Sequence, residues 1–268
     1  MVDLLAINPI AFSLGGLDVR WYGILIATGI ILGFFVVQRE MVKRGLHPDF
    51  LTDLLIWAVP IAIISARIYY VIFSWGYYKD NLGEVIQIWN GGIAIHGALI
   101  GAFITTYVFT KHRGISFWKV VDIAVPGLLI GQIIGRWGNF MNQEAHGGAV
   151  SENFLNTTII PDWIMNQMTI EGITYHPTFL YESMWNLVGL VILLLLRRVA
   201  LKRGEMFLLY LTWYSFGRFF IEGMRTDSLY GGVLRAAQVV SVVTIVIAVI
   251  LFVTRRYVQK IKTTYQDK

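Results

Sequence analysis

Seven apolar runs follow one another along the chain, separated by short polar or glycine-rich segments. A helix of about 20 apolar residues crosses the hydrocarbon core of a bilayer, because each residue adds about 1.5 Å. The pattern therefore predicts an all-α, polytopic integral membrane protein with about seven transmembrane helices. The runs lie at 21–38, 50–73, 92–110, 119–135, 178–196, 205–221 and 233–254.

Basic residues concentrate in every second connection between these runs. The first, third and fifth connections and the C-terminal tail together hold fifteen of the 22 Lys and Arg residues. Because cytoplasmic connections of membrane proteins are enriched in Lys and Arg, we expect an N-terminus outside and a C-terminus in the cytoplasm. The first basic residue is Arg20, so a cleaved signal peptide is not expected. We expect a single domain over 1–268, with a small cap on the outer face at about 138–176.

The composition excludes several functional classes. The net charge of +5 comes from clusters at the ends of the apolar runs, and no basic stripe or nucleic-acid motif is present, so nucleic acid is not an expected partner. The chain has no cysteine, which excludes disulfides and a thiol nucleophile of its own. A reacting thiol would therefore have to arrive with a substrate. The five histidines lack a zinc-binding spacing, and neither a metal nor another cofactor is expected.

A few basic residues fall at membrane depth or at the outer ends of the runs. A charged side chain there costs at least a few kcal/mol unless it faces protein or water, so each is a functional candidate. The alternative for each is a structural ion pair or a side chain that reaches to the interface. These residues are Arg20, Arg67, Arg136, Arg218 and Arg225.

The densest polar pattern is the segment 135–148, where glycines surround Arg136, Asn139 and Glu144. Small residues let a ligand approach the backbone, and arginine offers a fork of N–H donors that suits phosphate. If the helix continues past the apolar run, Arg136 and Asn139 share one face. The alternative is a helix end with an interfacial arginine.

His96 begins another pattern, at the outer end of the third run. A neutral imidazole suits proton abstraction from a thiol, yet a lone histidine in a span equally serves as a hydrogen-bonding strut between helices. Gly97 and Gly101 follow it with a spacing that predicts close helix packing.

A third pattern places Tyr214, Arg218 and Glu222 at i, i+4 and i+8, and therefore on one face of the sixth helix. An internal ion pair between Arg218 and Glu222 is the alternative to a ligand site. Two arginines from separate helices, Arg136 and Arg218, fit an anionic head group better than either one alone.

Taken together, these stretches resemble the prolipoprotein diacylglyceryl transferase family. The similarity runs from Arg20 to Arg225, and the separate motifs keep the family's order along the chain. The motifs are RWYG from Arg20, HGALIG from His96, the segment 135–147, HPTFLYES from His176, and the face formed by Tyr214, Arg218 and Glu222.

The resemblance implies transfer of an sn-1,2-diacylglyceryl group from phosphatidylglycerol to the lipobox cysteine of a bacterial prolipoprotein. The implied products are a thioether and glycerol phosphate, formed on the outer face of the plasma membrane. The implied partners are phosphatidylglycerol, the prolipoprotein signal peptide and membrane lipids. The implied catalytic residues are His96, Arg136, Arg218, Asn139 and Tyr22. Arg136, Arg218 and Asn139 are also expected to bind phosphatidylglycerol, together with Glu144, Gly147, Tyr214, Glu222 and His176.

The chemistry of such a reaction is consistent with these residues. A free thiol ionises near pH 8.5, so a base or a positive field must favour the thiolate, and we assign the base to His96 as a hypothesis. Arg136 and Arg218 are expected to hold the phosphate and stabilise its growing charge. Asn139 and Tyr22 are expected to bind head-group hydroxyls or orient the arginines.

Two other classes of protein stay open from the residues alone. A small transporter or lipid-binding protein would also use outer-side arginines, glycines and an intramembrane histidine, although the chain lacks repeat symmetry. A different lipid-head-group transferase is the second alternative. Product formation on a lipobox peptide that contains cysteine would distinguish them.

Overall fold

Seven long helices form most of the chain. The computed structural model describes residues 6–199, 201–226, 230–231 and 234–267. Within those residues, each predicted run coincides with a helix of 18 to 25 residues, which confirms an all-α architecture. Three further helices, α3, α6 and α7, are short. The helices are α1 (Trp21–Lys43), α2 (Phe50–Phe73), α3 (Trp75–Tyr78), α4 (Ile95–His112), α5 (Phe117–Met141), α6 (Glu152–Thr157), α7 (Asp162–Gln167), α8 (Thr178–Leu196), α9 (Glu205–Met224) and α10 (Ala236–Val253).

The described residues also include three pairs of antiparallel strands. The first precedes α1 and turns at Gly15 and Gly16, whose φ angles of 58° and 86° suit a tight hairpin turn. The strands are β1 (Ile10–Leu14), β2 (Leu17–Arg20), β3 (Thr169–Ile170), β4 (Ile173–Thr174), β5 (Tyr230–Gly231) and β6 (Leu234–Arg235). Two 3-10 turns, at Leu82–Glu84 and Ile88–Asn90, lie between α3 and α4.

Five of these helices are long and apolar enough to cross a bilayer, which agrees with a polytopic membrane protein. Helices α4 and α9 match predicted runs but carry more polar side chains, including the candidate residues His96, Arg218 and Glu222. The count of seven spans and the orientation of the termini stay predictions. The five segments are Trp21–Lys43, Phe50–Phe73, Phe117–Met141, Thr178–Leu196 and Ala236–Val258.

The chain divides into two compact units, which fall at Met1–Val37 with Asp122–Asp267 and at Gln38–Val121. We call them the first and second unit. The prediction of one domain over 1–268 with an outer cap stays a prediction. Within 138–176, the structure has the end of α5, then α6, α7 and the β3–β4 hairpin.

In the first unit, α8 and α9 are joined by a reciprocal tryptophan pair. The indoles of Trp185 and Trp213 stack with ring centroids 4.2 Å apart. The Nε1 atom of Trp185 donates to the carbonyl oxygen of Trp213 at 2.9 Å, and the Nε1 atom of Trp213 donates to that of Trp185 at 3.0 Å. The rings lie over Gly189 and Gly217, where a side chain would collide with them. This arrangement satisfies both indole N–H groups inside the helix pair.

A small apolar core lies where the end of α5 meets the segment before α8. Its fully or nearly fully buried members are Phe140, Ile164, Met168 and Phe179, and Trp137 packs against them. Ser183 accepts a hydrogen bond from Trp137 Nε1 and donates to the carbonyl oxygen of Ile133. These contacts hold the last turns of α5 against the first turns of α8.

In the second unit, α2 and α4 pack closely through glycines. A Cβ atom on Gly97 would lie 2.8 Å from the Cα atom of Ala66, and one on Gly101 would lie 3.1 Å from the carbonyl oxygen of Ile61. The small-residue spacing of Gly97 and Gly101 therefore makes the close helix contact that the sequence predicts.

Candidate functional site

Four charged side chains from three helices of the first unit form one ionic cluster. Glu182 of α8 accepts from Nη2 of Arg136 at 2.7 Å and from Nη1 of Arg218 at 3.2 Å. Arg218 also contacts Glu222 on its own helix, with Nη2 to Oε2 at 2.5 Å. Glu182 therefore connects the two arginines that the sequence predicts to act together.

Helix geometry explains why these residues meet. Helix α5 continues to Met141, six residues beyond the end of its predicted run, so Arg136 and Asn139 lie on regular helix. On α9, Tyr214, Arg218 and Glu222 share one face, and the ring of Tyr214 stacks on Tyr210 with centroids 6.1 Å apart. The predicted face on the sixth long helix is present as expected.

The cluster is balanced in charge and largely withdrawn from solvent. The side chains of Glu182 and Glu222 are 3% and 6% exposed, whereas those of Arg136 and Arg218 are 22% and 18% exposed. Two guanidinium groups against two carboxylates give these four side chains no net charge. A guanidinium has five N–H donors, so partly exposed arginines can still offer hydrogen bonds to an anionic ligand.

The segment that follows α5 adds polar groups beside the cluster. Asn139 Nδ2 donates to Glu144 Oε1 at 2.9 Å, and Asn142 Nδ2 reaches the same oxygen at 3.5 Å. Gln143 and Ala145 have φ angles of 53° and 57°, in the left-handed region that costs energy for residues other than glycine. Strained backbone of this kind is common at ligand sites.

Gly147 is enclosed by backbone on two sides. Its N–H donates to the carbonyl oxygen of His176 at 3.0 Å, and it pairs with Arg225 as an isolated β-bridge. A Cβ atom at this position would lie 2.8 Å from the Cβ atom of His176 and 3.3 Å from the carbonyl oxygen of Met224. Only glycine fits this position without a shift of the neighbouring atoms. Gly147 therefore lets the loop pass between the start of α8 and the end of α9.

His176 contributes a neutral polar group to this part of the first unit. Its Nδ1 atom lies 3.1 Å from the hydroxyl of Tyr181. Partial burial lowers the pKa of the His176 imidazole, so the ring is neutral at pH 7. It can therefore exchange hydrogen bonds with a ligand but does not add a positive charge for phosphate.

Tyr22, on the first turn of α1, packs over Gly138 of α5. A Cβ atom on Gly138 would lie 2.7 Å from Cδ2 of Tyr22, so the absence of a side chain there makes room for the ring. Tyr22 itself is 38% exposed. The contact shown for Tyr22 is therefore with the Gly138 side of α5, and its proximity to Arg136 stays a prediction.

His96 lies in the second unit, on the first turn of α4. Its ring stacks on Tyr69 of α2, with centroids 6.0 Å apart, and the side chain is exposed. Exposure agrees better with contact to a substrate than with a buried strut between helices. Its role in proton transfer stays a prediction.

For Arg67, the contacts favour the structural alternative over a role in ligand binding. The side chain is 7% exposed, and its guanidinium lies over the rings of Tyr70 and Tyr78. It donates to four carbonyl oxygens of the segment before α4, at distances of 2.6 to 2.8 Å. Arg67 therefore holds that segment in place and has little left to offer a ligand. The four acceptors belong to Glu84, Val85, Gly91 and Gly92.

Glu182 is the site residue that the sequence patterns did not select. It falls in a predicted span, where an ionised carboxylate needs a partner, and this was the available signal. Its partners are 46 residues before it and 36 residues after it in the chain, and no local pattern reveals them.

Comparisons with known proteins identify the family. A family model described as prolipoprotein diacylglyceryl transferase matches residues 9–254. The chain is 64% identical over 267 residues to a phosphatidylglycerol–prolipoprotein diacylglyceryl transferase of Lysinibacillus sphaericus, with 98% of both chains covered. Proteins of the same name from Bacillus velezensis and Geobacillus kaustophilus are 62% and 57% identical, over 93% and 98% of this chain and 93% and 97% of their own lengths.

Proposed function

The chain belongs to the prolipoprotein diacylglyceryl transferase family, and from that premise we propose that it transfers an sn-1,2-diacylglyceryl group from phosphatidylglycerol to a prolipoprotein. The acceptor in this proposal is the lipobox cysteine of the signal peptide, and the products are a thioether and glycerol phosphate. The proposal includes a multi-pass location in the bacterial plasma membrane with seven spans, an outer N-terminus and the site toward the outer face.

The observation that carries this proposal is the ionic cluster of Arg136, Glu182, Arg218 and Glu222. Two guanidinium groups on neighbouring helices, each about one-fifth exposed, suit a phosphodiester that enters from the lipid. A soluble anion would be drawn to basic residues in water, whereas these arginines lie on helices of a membrane protein. The arrangement therefore favours a phospholipid head group as the ligand.

The reaction needs a sulfur nucleophile and a stabilised leaving group. The thiolate attacks the glyceryl carbon that carries the phosphate, a C–S bond forms, and the C–O bond to phosphate breaks with its electron pair on oxygen. The departing glycerol phosphate gains negative charge, which Arg136 and Arg218 stabilise by preorganised N–H donors. His96 takes the thiol proton in this proposal, since an imidazole is suited to that transfer near pH 7.

The remaining residues bind and orient the lipid. Asn139 and Glu144 are hydrogen-bonded to each other; at the glycerol hydroxyls of the head group, the Asn139 amide donates or accepts and the Glu144 carboxylate accepts. Tyr22, Tyr214 and His176 offer hydroxyl and imidazole groups for further hydrogen bonds. Gly147 keeps the loop close to the site, and Glu222 orients Arg218.

Purified protein in detergent, with phosphatidylglycerol and a lipobox peptide, tests the proposal by mass spectrometry. We expect the wild type to add one diacylglyceryl unit to the peptide, and a peptide with Cys→Ser to gain no mass. Arg136→Ala and Arg136→Lys should both lose most turnover, because lysine lacks the planar fork. Arg113→Lys is the matched control, since Arg113 is an exposed residue paired with Asp53 in the second unit.

Normal turnover by Arg136→Lys would contradict the phosphate-binding role of Arg136. If the wild type binds phosphatidylglycerol but never modifies the peptide, the protein is a lipid-binding or transport protein and the transferase proposal fails.

A further inference from the structure

Each of the three helices carries another polar side chain one helical turn from the ionic cluster, toward the middle of the helix. Helix α8 runs antiparallel to α5, because Glu182 contacts Arg136 and the next residue, Ser183, contacts Ile133, which is earlier on α5. It also runs antiparallel to α9, because Glu182 contacts Arg218 and Trp185 contacts Trp213, which is earlier on α9. One turn is about 5.4 Å. The residues one turn away from the cluster are Gln132 on α5, Asn186 on α8 and Tyr214 on α9.

Asn186 is the unusual one of these three side chains. Its side chain is 0% exposed, and in the described part of the chain neither its Nδ2 nor its Oδ1 atom has a hydrogen-bond partner. Gln132 donates from Nε2 to the hydroxyl of Tyr210 at 2.8 Å, whereas its Oε1 atom also has no hydrogen-bond partner in the described part of the chain. A buried amide without partners destabilises a protein, and nearly all buried polar groups avoid that state. Asn186 therefore calls for a partner that is absent from this arrangement of the site.

The charge balance of the cluster identifies that partner. Arg136, Arg218, Glu182 and Glu222 carry no net charge together, Arg235 lies beside Glu222, and a phosphodiester brings one further negative charge to this group. The phosphate also competes for Nη1 and Nη2 of Arg218, which already contact carboxylates. A phosphate that binds through these Nη groups takes the place of one of the carboxylates.

Glu182 is the carboxylate that contacts both arginines, and another polar side chain follows it on its own helix. Asn186 follows it by four residues on α8, a spacing at which helical side chains are neighbours. Releasing Glu182 frees Arg136 and one Nη group of Arg218 at the same time, whereas releasing Glu222 frees only Arg218. A buried carboxylate that loses both cations is strongly destabilising unless another donor replaces them.

We propose that Asn186 is a positioning residue that receives Glu182 when the lipid phosphate binds. The N–H groups of Arg136 and Arg218 turn to the phosphate, and the Glu182 carboxylate turns along α8 to accept from Nδ2 of Asn186. The proposal rests on the proposed function, because the phosphodiester is the ligand that displaces Glu182. It explains why an unpartnered amide is kept beside the cluster.

Asn186→Leu tests this proposal, since leucine has the same number of side-chain heavy atoms, in a bulkier branched shape, and no polar atom. Two quantities are measured on the full chain in detergent: the Kd for phosphatidylglycerol by titration calorimetry, and the unfolding midpoint. Losing a hydrogen bond to a charged group should raise the Kd about tenfold or more. The unfolding midpoint should stay the same or rise, because the substitution removes an unsatisfied amide. A merely structural asparagine would lower the midpoint instead.

A double-mutant cycle with Glu182→Gln shows whether Asn186 acts through Glu182. In the Glu182→Gln background, Asn186→Leu should change the Kd by less than about twofold, since there is no charge left to receive. Thr212→Val is the control for losing a polar group on a neighbouring helix, because Thr212 bonds only to the Leu208 carbonyl of its own helix in the contacts that the structure describes. We expect it to leave the Kd unchanged.

The outcomes separate this proposal from the proposed function. The role of Asn186 would be overturned by an unchanged Kd in Asn186→Leu, or by an equal change of Kd in the wild-type and Glu182→Gln backgrounds. It would also be overturned if the wild type shows no saturable binding of phosphatidylglycerol. Saturable binding with the expected Kd changes but no modified peptide would support that role while the transferase proposal fails.

Discussion

Replacing Glu182 by glutamine should weaken the fold and strengthen lipid binding at the same time. Glu182 is 3% exposed and is the contact that joins Arg136 of α5 to Arg218 of α9. Glutamine keeps the shape and one carbonyl oxygen but removes the charge. The four-residue cluster then carries a net charge of +1 in place of zero.

The structure allows the size of both effects to be worked out. Removing one partner of a buried ion pair costs about 3–5 kcal/mol. Arg218 keeps Glu222, the arginines are about one-fifth exposed, and glutamine still accepts one hydrogen bond, so we expect the free energy of unfolding to fall by about 2 kcal/mol. The phosphate no longer competes with a carboxylate, and we expect a Kd for phosphatidylglycerol about tenfold lower, or about 1.4 kcal/mol.

Denaturant unfolding and lipid titration of the same purified samples measure both quantities. Glu171→Gln is the matched control, because Glu171 is exposed in the turn between β3 and β4. Wild-type stability together with a wild-type Kd in Glu182→Gln would refute the idea that Glu182 holds the arginines. A higher Kd would refute the competition between carboxylate and phosphate.

Three further predictions follow from other parts of the structure. Gly217→Ala should lower the free energy of unfolding by about 1–3 kcal/mol in denaturant titrations, because the new methyl group collides with the indole of Trp185. Gly223→Ala is the control and should have less effect, because the nearest atom there is the end of a flexible side chain at 3.4 Å. Arg67→Lys should destabilise the second unit, because a lysine cannot donate to all four carbonyl oxygens. Faster backbone hydrogen exchange in residues 79–94 would show this local destabilisation, and unchanged exchange would contradict the structural role of Arg67. Burial lowers the pKa of His176 in the folded protein, so the unfolded chain binds more protons near pH 6. The unfolding midpoint should therefore be lower at pH 5.5 than at pH 7.5, and His176→Gln should reduce that difference.

The sequence predicted the long helices well because a bilayer demands apolar runs of a fixed length. All seven runs became helices, and the boundaries differ mainly where polar residues extend a helix. Helix α5 is the clearest case: its apolar run ends at 135, the sequence left open whether the helix continues, and Arg136, Gly138 and Asn139 lie on helix up to Met141. Packing of Phe140 and Trp137 against the core before α8 stabilises that last turn, and such contacts cannot be read from local sequence.

The first hairpin had a recognisable signal that the search for spans passed over. Gly15 and Gly16 stand between residues of alternating character, which is a common pattern for a two-residue hairpin turn. Its strands are short and lie outside the apolar runs, so hydropathy alone does not find them.

The site was predicted in part, and the reason lies in the kind of partner each residue has. Arg136, Arg218, Asn139 and Glu144 form polar clusters in sequence, and the structure brings each into contact with a charged or polar side chain. Arg67 is also a basic residue within a predicted span, yet its acceptors are backbone carbonyl oxygens. Every residue type has such a carbonyl, so the sequence does not reveal these acceptors. A basic residue in a span is therefore ambiguous until its acceptors are known.

The balanced cluster also has a consequence for the end of the proposed reaction. Two unpaired arginines would be costly inside a membrane protein, and Glu182 and Glu222 remove that cost while no ligand is bound. Glycerol phosphate carries more negative charge than the phosphodiester it came from, so the arginines alone would hold the product more tightly than the substrate. A displaced Glu182 competes for the same N–H donors and favours release of the product. Glu182 therefore weakens lipid binding but promotes release of glycerol phosphate after transfer. Added glycerol phosphate should accordingly inhibit Glu182→Gln more strongly than the wild type.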